Sequence, residues 1–465
     1  MEMIKQDSHT EKIERISREL IKRRGRGPVS FKKRSVSHQV PKPDDEKYRD
    51  EKIDISDLDD IISIDPQRLI CVAEPGVTFE NLVKETMKFQ LVPIIVPELK
   101  TITIGGAVAG CSIESMSFKY GGFHDTCLEY EVITADGKVL NCTPDNENSL
   151  IFQMVHGTFG TLGLISKLKF RLIPAKPFVK VEFERFDNLD DFKKGIMDHF
   201  NKDDIDFMDG FVHSPEEFVI NAGNFVDEAP FTHDYDWKRS FCQNSKELDE
   251  DYLETPDYFF RYNRGVSNVR SLSSRYIMSK FLTSNDILKM ADRFHSIIPG
   301  DSIPITVDLF IPFSKVDEYL DWHTRELGHF PLWCVPYKRV RDYEWISDEY
   351  ARNNHDELFM DLAIYGMKKK GKNACYYKKI EEELMNIGGL KTLISNNYFS
   401  EEEFWTIWNR KNYTAVKKRT DPDNLFRDLY KKMCRTPKEL EQCQNGSSNS
   451  GLDRFTSFIG NIRGK

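Results

Sequence analysis

The chain has 465 residues, of which 39% are hydrophobic and 30% charged, and its formal net charge is -9. That length supports two or three domains with cores of their own, and that balance of apolar to charged residues excludes a disordered chain. The negative charge excludes a broad nucleic-acid-binding face, which needs a basic surface.

The nine cysteines are scattered without a C-x-x-C pair, and no H-E-x-x-H or clustered histidine spacing occurs. Reduced thiols and no metal site are expected. Met1-Glu2-Met3-Ile4-Lys5 places charge where a signal peptide carries an apolar core. The most apolar window, residues 91–97, falls well short of the roughly 20 residues a membrane span needs. A cytoplasmic chain without a transmembrane segment is expected.

Residues 11–34 read as a Lys- and Arg-rich helix running into the strand candidate Pro28-Val29-Ser30-Phe31. A basic, hydroxyl-rich loop follows at 32–38, and then an acidic stretch, 44–60, reads as a solvated connection. Two short apolar runs around Pro66, Ile61-Ile62-Ser63-Ile64 and Leu69-Ile70-Cys71-Val72-Ala73, suggest a hairpin. Thr78 opens a helix with Phe79, Leu82, Val83 and Met87 on one face. The run 91–96 resembles a buried strand and closes a first small α/β lobe.

Thr103-Ile104-Gly105-Gly106-Ala107-Val108-Ala109-Gly110 and Gly157-Thr158-Phe159-Gly160-Thr161-Leu162-Gly163 are two loops poor in side chains. Glycine beside Thr or Ser lets backbone N–H groups approach a phosphate-bearing ligand with nothing in the way. Between them Asp136-Gly137 marks a hairpin turn flanked by strands at 129–134 and 138–142, and 148–156 is helical in character. The second loop leads into a long strand at 164–173, so the second α/β lobe carries both loops at its margins. From Pro174 the pattern changes to alternating strand-like runs, such as 304–312, and helical runs, such as 378–387. Residues 401–435 read as helical around Asp421-Pro422-Asp423. Residues 444–451 are Asn-, Ser- and Gly-rich, and the tail 452–465 is weakly amphipathic and basic, a candidate for peripheral membrane contact.

The motifs Val96-Pro97-Glu98-Leu99, Thr101-Ile102-Thr103-Ile104-Gly105-Gly106, Ile113-Glu114-Ser115, Lys119-Tyr120-Gly121 and Leu172-Ile173-Pro174-Ala175-Lys176 resemble the FAD-binding domain of the vanillyl-alcohol oxidase and p-cresol methylhydroxylase flavoproteins. Within that family they are most similar to delta-24 sterol reductases of the diminuto and seladin type. Weaker similarity continues in Arg261 and Arg264, in Trp333-Cys334-Val335-Pro336, in Asp361-Leu362-Ala363-Ile364-Tyr365-Gly366 and in Glu403-Phe404-Trp405. The chain departs from the sterol reductase pattern at Ser112, Met116, Phe118, Phe260 and Tyr262. The resemblance implies an α+β fold: a two-lobed FAD-binding domain over 18–178, a substrate domain with C-terminal helices over 179–440, and a tail over 441–465.

It also implies an FAD stretched between the lobes, with its diphosphate against residues 33–38 and the 103–106 segment. The expected cofactor residues are Arg34, Ser35, Ser37, His38, Thr103, Ile104, Gly105, Gly106, Gly110, Ser112, Glu114, Ser115, Gly160, Thr161, Gly163 and Ile165. His38 is expected to remain unattached, so that FAD binds non-covalently. Both directions of flavin chemistry need one titratable group over the ring. The candidates are Arg261, Tyr262, Arg264 and Tyr365, followed by Asp308, Glu114 and His124. A lipid substrate further implies an apolar cleft lined by groups such as Phe259, Phe260 and Trp333.

No G-x-G-x-x-G opens a helix after a strand, so NADPH is a candidate only as a transient electron donor. The implied activity is reduction of a C=C bond in an apolar, sterol or isoprenoid, substrate by hydride from reduced flavin. The alternatives are an FAD-linked oxidase or dehydrogenase of an alcohol, sugar or hydroxy acid, and a non-catalytic flavoprotein.

Overall fold

The computed structural model describes residues 2–35, 38–40, 45–235, 240–262, 305–352, 354–368 and 375–435, with side chains from residue 8 onward. The first helix, Glu2–Arg23, starts earlier and ends sooner than its composition suggests. Gly25 and Gly27 follow it with φ of 74° and 106°, a left-handed geometry that stops the helix before the strand.

Strands β1 (Val29–Lys32) and β2 (Glu51–Asp54) pair in parallel. The acidic stretch is therefore not a solvated connection. Its Ile53 and Leu58 are wholly buried, packed with Ile16 and Leu20 of the first helix and with Leu425 and Phe426 from far down the chain. Apolar residues spaced through an acidic run carry the fold there, while the carboxylates stay at the rim.

A six-stranded antiparallel sheet follows, made of β3 (Ile61–Asp65), β4 (Ile70–Ala73), β5 (Leu91–Pro93), β6 (Cys127–Ile133), β7 (Val139–Cys142) and β8 (Leu164–Pro174). Its order is β3-β4-β8-β6-β7, with β5 also on β8. The expected hairpins are present, but β3, β4 and β5 share this sheet rather than forming a separate first lobe. The reason is the length of β8, which pairs β4 and β6 through its middle and β5 through its end. Gly137, with φ of 79°, makes the β6–β7 turn. Thr78 caps the helix Phe79–Thr86, which buries Phe79, Leu82 and Val83 as the spacing predicts.

Beyond residue 177 the described strands form a larger antiparallel sheet. These are β9 (Phe178–Phe186), β10 (Phe207–Ser214), β11 (Glu217–Val226), β12 (Glu250–Glu254), β13 (Ile305–Val307), β14 (Leu309–Pro312), β15 (Leu332–Lys338), β16 (Leu358–Met367) and β17 (Leu390–Lys391). Their order is β12-β9-β11-β10-β15-β16-β14-β17, with β13 also on β16. Successive residues of a strand face opposite sides, and here the two sides have different partners. Met208, Val212, Leu332, Cys334, Met360, Leu362 and Ile364 pack under the helices Leu189–Lys202, Val316–Glu326 and Tyr376–Ile387. The opposite face, with Phe207, Phe211, Trp333, Val335 and Ala363, packs in one core with the six-stranded sheet.

Three helices, Glu401–Ile407, Arg410–Thr420 and Leu429–Met433, lead the chain back to the first half. Lys417 Nζ donates to Thr161 O at 2.8 Å and to Phe426 O at 2.8 Å, and it pairs with Asp421 Oδ2 at 2.7 Å. Arg427 grips Asp50 through Nε at 2.9 Å. Cys375 is disulfide-bonded, which corrects the expectation of reduced thiols at that residue. Among the described residues no helix is long and apolar enough to cross a membrane.

Candidate active site

Both glycine segments line one cleft with a volume of about 900 Å³, near the upper end of small-molecule sites, which run to about 1,000 Å³. The first segment is a short helix, Ile104–Gly110, rather than an open loop. Thr103 caps it by accepting from Gly106 N at 3.2 Å. Gly105 and Gly106 do different work. A Cβ on Gly105 would stand 2.5 Å from the Pro75 side chain, whereas one on Gly106 would meet only Thr103 Oγ1 at 3.2 Å. Gly105 is required by packing, and Gly106 keeps the cleft wall bare. In the second segment Gly160, with φ of 72°, lies over the Phe31 ring.

The expected cofactor residues Arg34, Ser35, His38, Thr103, Gly105, Gly106, Gly110, Ser112, Gly160, Gly163 and Ile165 line this cleft. Ile104, Glu114, Ser115 and Thr161 do not. Ile104 is buried in the core behind its helix. Glu114 pairs with Arg261, Ser115 O accepts from Met208 N of β10, and Thr161 O holds Lys417. Ser37 and Arg264 lie outside the described residues. Arg34 pairs with Asp59, and His38 Nε2 is 3.2 Å from Thr101 Oγ1.

Cations gather at one part of the cleft: Lys33, Arg34, Lys47, Lys52, Arg427 and Lys432 all line it, with Asp50 and Asp59 as the acidic counterparts. Lys432, half-buried on the helix Leu429–Met433, donates from Nζ to Phe159 O at 2.6 Å. Desolvation, together with the neighbouring Lys47 and Lys33 charges, pushes it down to about 7. A lysine held at that cost, beside bare glycine backbone and several other cations, fits an anionic diphosphate. The donor set present therefore suits FAD.

The other part of the cleft is built on the larger sheet. Alternation along β10, β15 and β16 brings Phe211, Trp333, Asp361 and Tyr365 to the cleft, with Asp308 from the break between β13 and β14. Tyr365 donates from its hydroxyl to Asp308 Oδ1 at 2.6 Å, and Thr392 Oγ1 reaches Asp308 Oδ2 at 3.3 Å. Burial raises the Asp308 carboxyl above its ordinary value even though the Tyr365 and Thr392 bonds pull the other way. Burial and the nearby Asp308 raise the Tyr365 hydroxyl as well. Asp361, raised by burial and by Asp308, accepts from Leu309 N at 2.8 Å. It sits in the middle of β16 rather than at a strand end. Glu98, also on the cleft wall, is pushed up to about 7 by burial.

Arg261 takes another role from the one its charge suggests. It is 3% exposed, stacked 4.1 Å from the Tyr258 ring, and absent from the cleft wall. Its Nη2 meets Asp209 Oδ2 at 2.9 Å and Glu114 Oε1 at 3.2 Å. Asp209 Oδ2 also accepts from Tyr262 OH at 2.5 Å and Trp333 Nε1 at 2.9 Å. Tyr262 thus lines the cleft with its hydroxyl proton directed into a buried carboxylate. Trp333 lines the cleft as expected, but Phe259 and Phe260 lie in the core behind it. His124 lines a neighbouring chamber.

Residues 29–143 match the FAD binding domain family. The chain is an FAD-dependent oxidoreductase. This flavoprotein is 25% identical to the Delta(24)-sterol reductase homolog of Caenorhabditis elegans, over 83% of this chain and 79% of the relative. It is 25% identical to the human Delta(24)-sterol reductase over 81% of this chain and 77% of the relative, and 25% identical to that of Pisum sativum over 95% and 87%. Its similarity to Cytokinin dehydrogenase 1 of Arabidopsis thaliana, 26% identity, spans 36% of this chain and 27% of the relative.

Lys47, Lys52, Arg427 and Lys432 carried no motif in the sequence. Only the fold brings the last two to the first half of the chain. Asp361 did leave a signal: it stands in β16 in phase with Ala363 and Tyr365, against Met360, Leu362 and Ile364.

Proposed function

We propose that this flavoprotein reduces an isolated C=C bond in an apolar substrate of the sterol or isoprenoid class, a reading supported by relatives named as sterol reductases. The observation that carries the reading is the Tyr365–Asp308 pair on the cleft wall. Burial raises both groups above their ordinary values, and the Tyr365 hydroxyl keeps its proton, directed onto Asp308. Such a pair suits protonation of a substrate carbon better than removal of a proton from an alcohol.

When bound in its reduced form, FAD would supply the hydride. Tyr365, whose hydroxyl Asp308 orients, gives its proton to the adjacent carbon, and a proton from solvent restores the phenol. Asp209 fixes Tyr262 and Trp333 as a rigid wall, and Arg261 neutralises Asp209 from behind. Phe211 and Trp333 exclude water from the reacting carbons. Lys432, Lys33 and Lys47 would hold the diphosphate, and the bare backbone at Gly106 and Gly160 would let it approach. The cofactor unit comprises residues 18–178 completed by 410–435, with residues 179–400 as the substrate domain.

FAD is bound non-covalently in this reading, with His38 engaged by Thr101. NADPH serves as a transient electron donor. A cytoplasmic location, with peripheral membrane contact through the 452–465 tail, suits a lipid substrate. The test is anaerobic. Photoreduced protein mixed with a desmosterol-like alkene regains the oxidised-flavin absorbance, whereas alcohols leave oxidised flavin unchanged. Reduction of oxidised flavin by an alcohol, with no response to the alkene, would replace this reading with an alcohol dehydrogenase.

A further inference from the structure

Beside the cleft lies a smaller chamber with a volume of about 100 Å³. It is contiguous with the cleft, because Gly110, Cys111, Ile113, Phe159, Phe310 and Thr392 line both. Thr392 is also the residue that touches Asp308, so the shared wall runs past the proposed acid pair. Much of the remaining wall is aromatic or aliphatic, including Tyr343, Trp345, Tyr350, Leu393 and Trp408, with Arg339, Asp342, Asn354 and Lys391 also on it.

Two polar side chains on this wall have unmet capacity. Trp345 Nε1 is buried with no hydrogen-bond partner among the described residues. His124, 1% exposed, has no such partner at either ring nitrogen, although Nε2 lies 3.3 Å from Asp125 Oδ2 without hydrogen-bond geometry. Burial lowers the His124 pKa, so the ring is neutral and offers one donor and one acceptor. Buried polar groups in folded proteins are almost always satisfied, and each one left over calls for an absent partner. The Gly122 position adds to this: a Cβ there would stand 2.5 Å from His124 Cε1, so the chain keeps a glycine where the ring needs room.

The size of the space narrows the occupant. An apolar cavity of about 150 Å³ holds one benzene, so this chamber is on the scale of a single carbocycle. An apolar ring bearing one oxygen would fill the aromatic box while accepting from the Trp345 indole and bonding His124. We infer that the chamber is a binding site for the hydroxylated ring of the substrate, seated there while the alkene lies in the cleft. The proposal rests on the sterol or isoprenoid reading above and names where the oxygen-bearing end is recognised.

Binding separates it from the reaction. The probes are two saturated compounds that cannot be reduced, cholestanol and its 3-deoxy counterpart cholestane, delivered from cyclodextrin to flavin-loaded protein and followed by protein fluorescence. The wild-type chain should bind cholestanol about tenfold tighter than cholestane, the effect of one buried hydrogen bond. W345F keeps the stacking on Tyr343, whose ring lies 5.1 Å away, and should abolish that preference. Ala351→Leu, on a half-exposed helix that borders the chamber, should weaken both probes at unchanged flavin content. Equal binding of the two probes by wild type, absence of binding, or a preference that survives W345F would overturn the inference. If cholestanol shows a Trp345-dependent preference while no alkene reoxidises the flavin, the chamber stands and the proposed reaction falls.

Discussion

Replacing Lys432 by Met should change how FAD affinity depends on pH. Desolvation and the Lys47 and Lys33 charges hold this amine at about 7 in the protein without cofactor, against 10.5 for an ordinary lysine. A diphosphate beside it would restore the charged form, so binding takes up a proton whenever the free protein has lost one. Below pH 7 Lys432 is already charged, and the affinity it contributes is complete and flat. Above pH 7 each further unit costs about 1.4 kcal/mol, a tenfold rise in Kd, so between pH 7 and 9 binding should weaken about a hundredfold. K432M should lose that slope and, at pH 6, bind FAD about ten- to a hundredfold more weakly, the worth of one charge-assisted hydrogen bond. Quenching of FAD fluorescence on titration with apoprotein, in buffers from pH 6 to 9, measures both quantities. Parallel pH profiles for wild type and K432M would refute the assignment of Lys432 to the diphosphate.

Tyr365→Phe should slow reoxidation of reduced flavin by the alkene about 10²–10⁴-fold, the span of general acid catalysis, with FAD affinity unchanged; stopped-flow absorbance reads the rate. Gly106→Val should yield folded, colourless protein because nothing but Thr103 opposes its side chain from the protein side, whereas Gly105→Ala should lower the melting temperature through its clash with Pro75; circular dichroism and the flavin spectrum separate the two. His9 joins Glu74 at 2.8 Å and Glu131 at 2.9 Å. Burial pulls its pKa down, but those hydrogen bonds raise it above 6.5 overall. Its stabilisation is thus complete below about pH 6.5 and fades as the pH rises through the raised folded value. H9Q should cost about 1–3 kcal/mol at pH 6 and converge with wild type in alkaline buffer, as denaturant melts at both pH values would show.

The local elements were legible because their signals are local. The Thr78 cap, the Asp136-Gly137 turn and the second glycine segment each declare a backbone geometry within a few residues, whereas the first glycine segment reads as a loop and folds as a helix. Sheet membership was not, since β3, β4 and β5 join β6 only through the reach of β8, a property of pairing rather than of any one run. The acidic stretch misled for a related reason. Its average charge describes the rim, while Ile53 and Leu58, two residues among many, decide that it packs. In the site, the glycines followed from backbone chemistry, but Arg261 drew attention by resemblance and by its charge. Its burial under Tyr258 and its pairing with Asp209 depend on β10 lying alongside. Tyr365 and Asp308 are placed together by a strand break and a register that no linear pattern encodes.

The two lysines that brace the second glycine segment, Lys417 and Lys432, are 256 and 273 residues away from the carbonyls they hold. A ribosome adding about 5–20 residues per second delivers the glycines well before those braces exist. The nascent first half therefore emerges with its flavin groove unfinished, and loading must wait for the last helices to arrive. Damage that removes those helices should bleach the protein even where every residue of the family match is intact.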